Sequence, residues 1–272
     1  MTHIDDAFSR ALEAVIRPVG RYIVEERRNF QRTSVETKSL NALVSYVDQE
    51  AERRLVDGLH RLLPEAGFIA EEGNGTPSPD QSWDWVVDPL DGTTNFIHGI
   101  PTYAVSVGLL HGKVLVAAAV YELGQDEYFS AERGRGTRCN GLPVRVSSTS
   151  NVSDSLVATG FPYYDFSEMA AYAGVLNDCF QHTRGVRRLG SAATDLAYVA
   201  CGRFDAFFEH GLSPWDVAAG ILLVEEAGGR ATSFGTQALS HRDLVHHREI
   251  VAGNPAVGSE LHRWTQNRFQ RP

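Results

Sequence analysis

83-WDWVVDPLDGTTNF-96 drives an apolar run straight into two carboxylates, Asp88 and Asp91, three residues apart. A second stretch, 213-SPWDVAAG-220, sets Asp216 at the opening of an apolar helix, and Glu71 closes a short apolar segment just upstream of the first motif. Four acids aimed at one point repel each other and lose solvation unless a cation compensates them. Hard divalent ions such as Mg2+ prefer oxygen ligands and commonly meet their substrate through phosphate. The pattern is that of a metal-dependent phosphatase. Asp88 can bridge two ions, because a carboxylate offers two oxygens. The Leu90 carbonyl is a further natural ligand.

Each of these residues has a plainer reading. Asp-Pro and Asp-Gly dipeptides form turns, although here the turn follows an apolar strand that should end in the interior. Glu71 and Glu72 both read as surface charges after a strand, and the local sequence does not choose between them. Ser213, Pro214 and Asp216 fit an N-cap serine, a first-turn proline and a capping-box acid without any metal. The helix N-terminus would stabilise the same ionised carboxylate while its free oxygens face a cation. Gly190-Ser191-Ala192 opens a helix with almost no side-chain bulk, so its N–H groups form either a phosphate cradle or a close helix contact. Thr93 and Thr94 offer one hydroxyl to orient a water and another to cap a short helix. Asp48, three residues after Ser45, reads as a cap acid or as the acceptor of a proton relayed through Thr93.

Outward from the motif, Ile4, Phe8, Leu12, Val15, Val19 and Ile23 mark one side of a first helix. Residues 45–63 read as a second helix, closed by Pro64, and Gly67 to Ala70 as a short strand. The polar run 73–82 reads as a surface loop. Trp85, Val86 and Val87 form a strand that breaks at Asp88-Pro89. Residues 103–110 and 114–121 flank a hairpin turn, with further strands at 127–131 and 143–147, so one antiparallel sheet is expected in the first half. The second half alternates: strand 155–160, helix 167–180, helix 191–202, strand 204–211, helix 214–229 and strand 249–255. A boundary near residue 145 divides the chain into an α+β half, 1–145, and an α/β half, 146–272. The acids come from both sides, so function would sit at the seam.

The 272 residues carry 25 Lys and Arg against 34 Asp and Glu, a formal charge of -9. That argues against a broad surface for nucleic acid or anionic membrane, but not against a small phosphorylated substrate, because bound cations invert the local field. Cys139, Cys179 and Cys201 are odd in number and scattered, so neither a disulfide framework nor a zinc-thiolate site is expected. No signal-peptide core opens the chain, no apolar run is long enough to span a bilayer, and the cytoplasm is the expected setting. Arg184, Arg187 and Arg188 form the densest basic cluster, expected to flank the substrate site or a subunit seam.

Together, 85-WVVDPLDGTTNF-96, 215-WDVAAG-220, 38-KSLNALVSYVDQEAE-52, 68-FIAEEG-73 and 188-RLGSAATDLAYVACGRFDAFFE-209 resemble the inositol monophosphatase family of Mg2+-dependent, lithium-sensitive phosphatases, from about Phe8 to Ala256. The resemblance implies a layered α-β-α-β-α sugar-phosphatase fold of the α+β class, usually a homodimer. It implies two to three Mg2+ ions, with Mn2+ as a substitute. Glu71, Asp88 and the Leu90 carbonyl would hold the first ion and Asp88, Asp91 and Asp216 the second. Glu71 would help recruit a third. Thr93, Asp48 and Glu71 would serve catalysis. Asp91, Gly190, Ser191, Ala192, Glu209 and Asp216 would meet the substrate. The implied substrate is a small phosphorylated polyol or sugar, foremost a myo-inositol monophosphate. Histidinol phosphate, fructose 1,6-bisphosphate and 3'-phosphoadenosine 5'-phosphate are alternatives, as is a non-catalytic regulatory homologue. Thr94 stands where 3'-phosphoadenosine phosphatases typically carry lysine. Ala42 lacks a usual acid, Ser45 replaces threonine and Ala70 replaces a frequent glycine; none is an expected direct ligand.

Overall fold

The computed structural model describes residues 6–30, 35–39, 42–162 and 165–270, with backbone alone for 35–39 and 42–44. Ile4, expected at the start of the first helix, and the side chain of Ala42 lie outside that description.

In chain order, helix α1 (Asp6–Asn29) leads to the hairpin β1 (Val35–Ser39) and β2 (Ala42–Ser45), then α2 (Tyr46–Leu62). Next come β3 (Gly67–Ala70), β4 (Trp83–Asp91), α3 (Thr93–His98), β5 (Ala104–His111), β6 (Val114–Glu122), β7 (Glu127–Glu132), β8 (Thr137–Cys139) and β9 (Leu142–Val144). The remainder is β10 (Leu156–Thr159), α4 (Met169–His182), β11 (Gly185–Arg187), α5 (Ala192–Ala200), β12 (Ala206–His210), α6 (Pro214–Glu226), β13 (Arg230–Thr232), α7 (His241–Val245), β14 (Glu249–Gly253) and α8 (Pro255–Phe269). Strands β3 to β9 form one seven-stranded sheet in sequence order, and a five-stranded sheet has the order β11-β10-β12-β14-β13.

Side-chain alternation sorts the core into three layers. Trp85, Val87, Val105, Val107 and Leu109 face α1 and α2, where they meet Ile16, Ile23, Leu55 and Leu59. Val86, Ala104, Ala118 and Val120 point the other way, onto Leu196 of α5 and Ile221 of α6. Phe207 and Ala252 close that central layer from the second sheet. Their neighbours Phe208 and Val251 face outward with Tyr172 of α4 and Leu261 of α8. The architecture is therefore α-β-α-β-α. Among the described residues no helix is long and apolar enough to cross a membrane.

Several sequence expectations shift. Strand β4 does not break at Asp88-Pro89: it runs on to Asp91 through an irregularity in its pairing with β5, where Asp88 faces Ser106 and Asp91 faces Ala104. Two residues, Pro89 and Leu90, thus stand opposite one, a bulge that tolerates proline's missing N–H. The first sheet is not wholly antiparallel, because β3 runs parallel to β4. The strand expected at 143–147 is β9, shorter and paired with β8 across the Asn140-Gly141 turn. The hairpin β1–β2 and helix α8 were not foreseen. Neither Thr93 nor Thr94 caps α3: both lie within it, and its cap, Gly92, offers no side-chain bond.

Candidate active site

The bulge in β4 decides where the acids point. In an unbroken strand, residues three apart face opposite sides. The extra residue brings Asp91 back to the face that carries Val86 and Asp88, toward α5 and α6. From the other wall, Ser213 and Asp216 form the capping box of α6, with the Ser213 N–H donating to Asp216 Oδ2 at 2.7 Å. Helix α6 can sit this close because Gly220 lies on Leu196: a Cβ there would come within 2.4 Å of the leucine side chain. The Ser106 hydroxyl, donating to the Trp215 carbonyl at 3.2 Å, pins the first turn of α6 to β5.

The result is that carboxylate oxygens of Asp88, Asp91 and Asp216 lie within 4.8 Å of one another. Asp88 is 2 % exposed, while Asp91 and Asp216 keep part of their surface open. Desolvation, then Glu71, Asp91 and Asp216, push the Asp88 carboxyl well above the usual range. Asp216 is pushed up to about 7 by desolvation and by Asp91, against the opposing hydrogen bonds from Ser213 N–H and with Asp88. Asp91 is raised to about 6 by desolvation, opposed by the Ser191 hydroxyl, the Ala193 N–H and Arg188. Groups that resist ionisation this strongly, with only oxygen donors converging, fit a hard divalent cation. The chemistry of the donor set excludes a thiolate or imidazole centre.

The other expected residues fall around this cluster. Glu71 acts on Asp88 electrostatically, and its backbone N–H donates to the Val87 carbonyl at 3.3 Å. The Asp88 Oδ1 accepts the Leu90 N–H at 2.9 Å, and the Thr93 hydroxyl lies 3.0 Å from the Leu90 carbonyl. Asp48 is the cap acid of α2 and also touches Thr93. Its Oδ2 accepts the Ser45 N–H at 2.9 Å, closing a capping box, while its Oδ1 faces the Thr93 hydroxyl at 2.9 Å. Burial, opposed by those bonds, raises its carboxyl.

At the start of α5, the Ser191 hydroxyl and the Ala193 N–H both donate to Asp91 Oδ2 at 2.7 Å. Asp91 therefore bonds the first turn of α5, whose N-cap is Ser191, while it also belongs to the acid cluster. Gly190 holds φ +91, and a Cβ there would come within 3.0 Å of the Asn95 amide. Glu209 is buried on β12 with its carboxyl packed on Gly160. It is raised well above the usual range by burial and by Asp216 and Asp91, with Arg188 opposing. Of the basic cluster, Arg188 alone acts on these acids. Arg184 pairs with Asp154 at 2.8 Å, and Arg187 bonds the Val186 carbonyl.

Three residues escaped sequence reasoning. Asn95 Nδ2 donates to the Thr102 and Leu189 carbonyls, each at 2.7 Å, and so ties α3 to the cradle. Its place inside the 91-DGTTNF-96 run was the available signal. Asp195 is buried in α5 with Oδ1 lacking a hydrogen-bond partner, and its local sequence carries no signal of that. Glu52, one of several acids in 48-DQEAE-52 that nothing local sets apart, is fully buried.

The model of the inositol monophosphatase family matches residues 5–270. A putative Nus factor SuhB of Neisseria meningitidis serogroup B is 40% identical over 246 residues, covering 90% of this chain and 92% of the relative. An inositol-1-monophosphatase of Rhizobium meliloti is 38% identical over 258 residues, covering 94% and 96%. Among solved structures, the extragenic suppressor protein suhB of Bartonella henselae superposes with a TM-score of 0.87 at 37% identity, covering 96% of this chain and 99% of that one.

Proposed function

Given that the chain belongs to the inositol monophosphatase family, Mg2+-dependent phosphatases of small phosphate monoesters, we propose that its substrate is a myo-inositol monophosphate. The observation that carries this reading is the convergence of Asp88, Asp91 and Asp216 within 4.8 Å, beside a helix-opening cradle and a buried carboxylate, Glu209. The cradle suits the phosphate, the acid cluster its counter-cations and Glu209 a substrate hydroxyl.

In this reading Glu71, Asp88 and the Leu90 carbonyl hold one cation, and Asp88, Asp91 and Asp216 a second. Glu71 helps recruit a third. When bound, Mg2+ lowers the pKa of a water and neutralises charge on the phosphoryl and leaving oxygens. The chain's own groups do the rest. Asp48 Oδ1 takes the Thr93 hydroxyl proton as hydrogen-bond acceptor, which turns the Thr93 lone pairs toward a water and aligns that water with phosphorus. The water proton moves through Thr93 to Asp48, the new P–O bond forms, and the opposite P–O bond breaks as the leaving alkoxide takes a proton from a solvent water. Backbone groups of Gly190, Ser191 and Ala192 orient the phosphoryl oxygens. Glu209 accepts from a ring hydroxyl, and Asp91 and Asp216 flank the leaving group. The halves 1–145 and 146–272 act as one catalytic unit, since the acids come from both.

The enzymatic reading is preferred over a purely regulatory one because the carboxylate set is complete. A Nus-factor role, as printed for the Neisseria relative, would then be additional. A homodimer, lithium inhibition, Mn2+ substitution and a cytoplasmic setting belong to the same reading. The test is Mg2+-dependent phosphate release from myo-inositol 1-phosphate, fructose 1,6-bisphosphate, 3'-phosphoadenosine 5'-phosphate and histidinol phosphate. Preference for the inositol ester is expected. Preference for another member replaces the substrate, and no release from any, with folding and metal binding verified, overturns the catalytic assignment.

A further inference from the structure

Helix α2 sends two buried acids toward the site, one turn apart. Asp48 takes the role described above. Glu52, four residues on, is 0% exposed and meets no basic side chain among the described residues. A carboxylate shut away from water without a cation is costly unless donors satisfy its oxygens. Here each oxygen has one: Oε2 accepts the Glu72 N–H at 2.6 Å and Oε1 the Asn74 N–H at 2.8 Å. Those donors bracket Gly73, which holds φ +86 in the turn immediately after Glu71.

Glu71 is thereby gripped from both sides. Its own N–H is bonded to the Val87 carbonyl of β4, one residue before Asp88, while the next N–H is bonded to α2. The loop 71–74 is otherwise polar and lies partly open to solvent, so few apolar contacts would hold it there. We infer that Glu52 is a positioning residue: it clamps the turn after Glu71 so that the Glu71 carboxylate stays set against Asp88 for a divalent cation. The inference rests on the proposed metal role of Glu71. Outer-shell groups of this kind tune affinity by holding ligands in place.

The test is Mg2+ titration of the metal-free, full-length protein by calorimetry, with thermal melting in EDTA alongside. Glu52→Gln keeps the shape but replaces one acceptor with a donor that faces an N–H. It is expected to weaken Mg2+ binding by ~10-fold and to move the Mg2+ activation curve by the same factor, with turnover recovering at saturating Mg2+. Leu55→Ala, on the same helix and fully buried in the α1–α2 core, removes packing while leaving both acceptors of Glu52 in place. It should lower the melting temperature and leave Mg2+ affinity unchanged. Should E52Q not fold, Glu52→Asp keeps both acceptors on a shorter stem and should weaken binding by roughly 3-fold, a smaller loss of the same kind. Mg2+ affinity in E52Q equal to wild type, or an equal loss in L55A, overturns the inference while the proposed function stands. Wild-type protein that binds no Mg2+ overturns both.

Discussion

Asp84 and Asp88 leave strand β4 on the same face, four residues apart, and both are shut away from water, at 0% and 2% exposure. The chain treats them in opposite ways. Asp84 Oδ2 is met by the Arg242 guanidinium of α7 at 2.8 Å, and its Oδ1 by the Ser78 N–H at 2.6 Å. Its charge is neutralised from within, and the pair fastens α7 and the 73–82 loop to the sheet edge. Asp88 instead faces Glu71, Asp91 and Asp216, and desolvation compounds their repulsion. One end of the strand is finished by the fold; the other keeps a repulsion that a divalent cation could relieve. That difference distinguishes the two acids where burial does not.

The sharpest way to break the comparison is to neutralise each acid in turn. Asp88→Asn should lower turnover by roughly 10^3-fold or more, since metal-ion stabilisation of the transition state is worth several kcal/mol. It should fold at least as well as wild type in EDTA, because it removes a repelled charge. Steady-state kinetics and melting curves check both halves. Asp84→Asn, by contrast, leaves Arg242 buried without its partner and should cost about 3 kcal/mol of stability, read by denaturant unfolding, with Mg2+-dependent turnover kept. A D84N protein with lost turnover and full stability would invert the assignment.

A smaller effect comes from the cation itself. At a hundredfold excess over its dissociation constant, Mg2+ should stabilise wild type and D84N by about 2.7 kcal/mol and leave D88N unmoved, as measured by thermal melting. A separate test is the pH dependence of the metal-free protein. The Asp91 and Asp216 carboxyls rise from 3.8 to about 6 and about 7 in the fold, so the native state holds protons that the unfolded chain has released. Their contribution is fully present below pH 3.8 and is lost as pH rises toward 7. Metal-free melting temperature should therefore fall across that window, and Mg2+ should flatten the slope. A slope unchanged by Mg2+ would separate these acids from the cation.

Much of this was legible because the decisive chemistry is local in sequence. A strand running into DPLDG and a proline-started helix carrying WD state their residue types and order without tertiary context, and alternating apolar residues announce the sheets. The bulge at Pro89-Leu90 was not legible: the dipeptide signals a break, and only the pairing of β4 with β5 turns that break into a change of face. Glu52 was hidden because an acid in 48-DQEAE-52 looks solvated until the loop from 72 to 74 folds over it. Helix α8 was missed although Asn254 and Pro255 carry the signal, an N-cap followed by proline at the first position. Its apolar stripe is thin, and its place was settled by packing on the outer face of the second sheet.

The most direct test of the central claim is the anomalous difference map of a crystal of the full-length protein grown with Mn2+, which stands in for Mg2+ and scatters anomalously. The account predicts a peak within coordinating distance of Asp88, Asp91 and Asp216, with Glu71 reaching toward a neighbouring ion. A map with no peak there, in crystals where Asp88, Asp91 and Asp216 still converge, would contradict it.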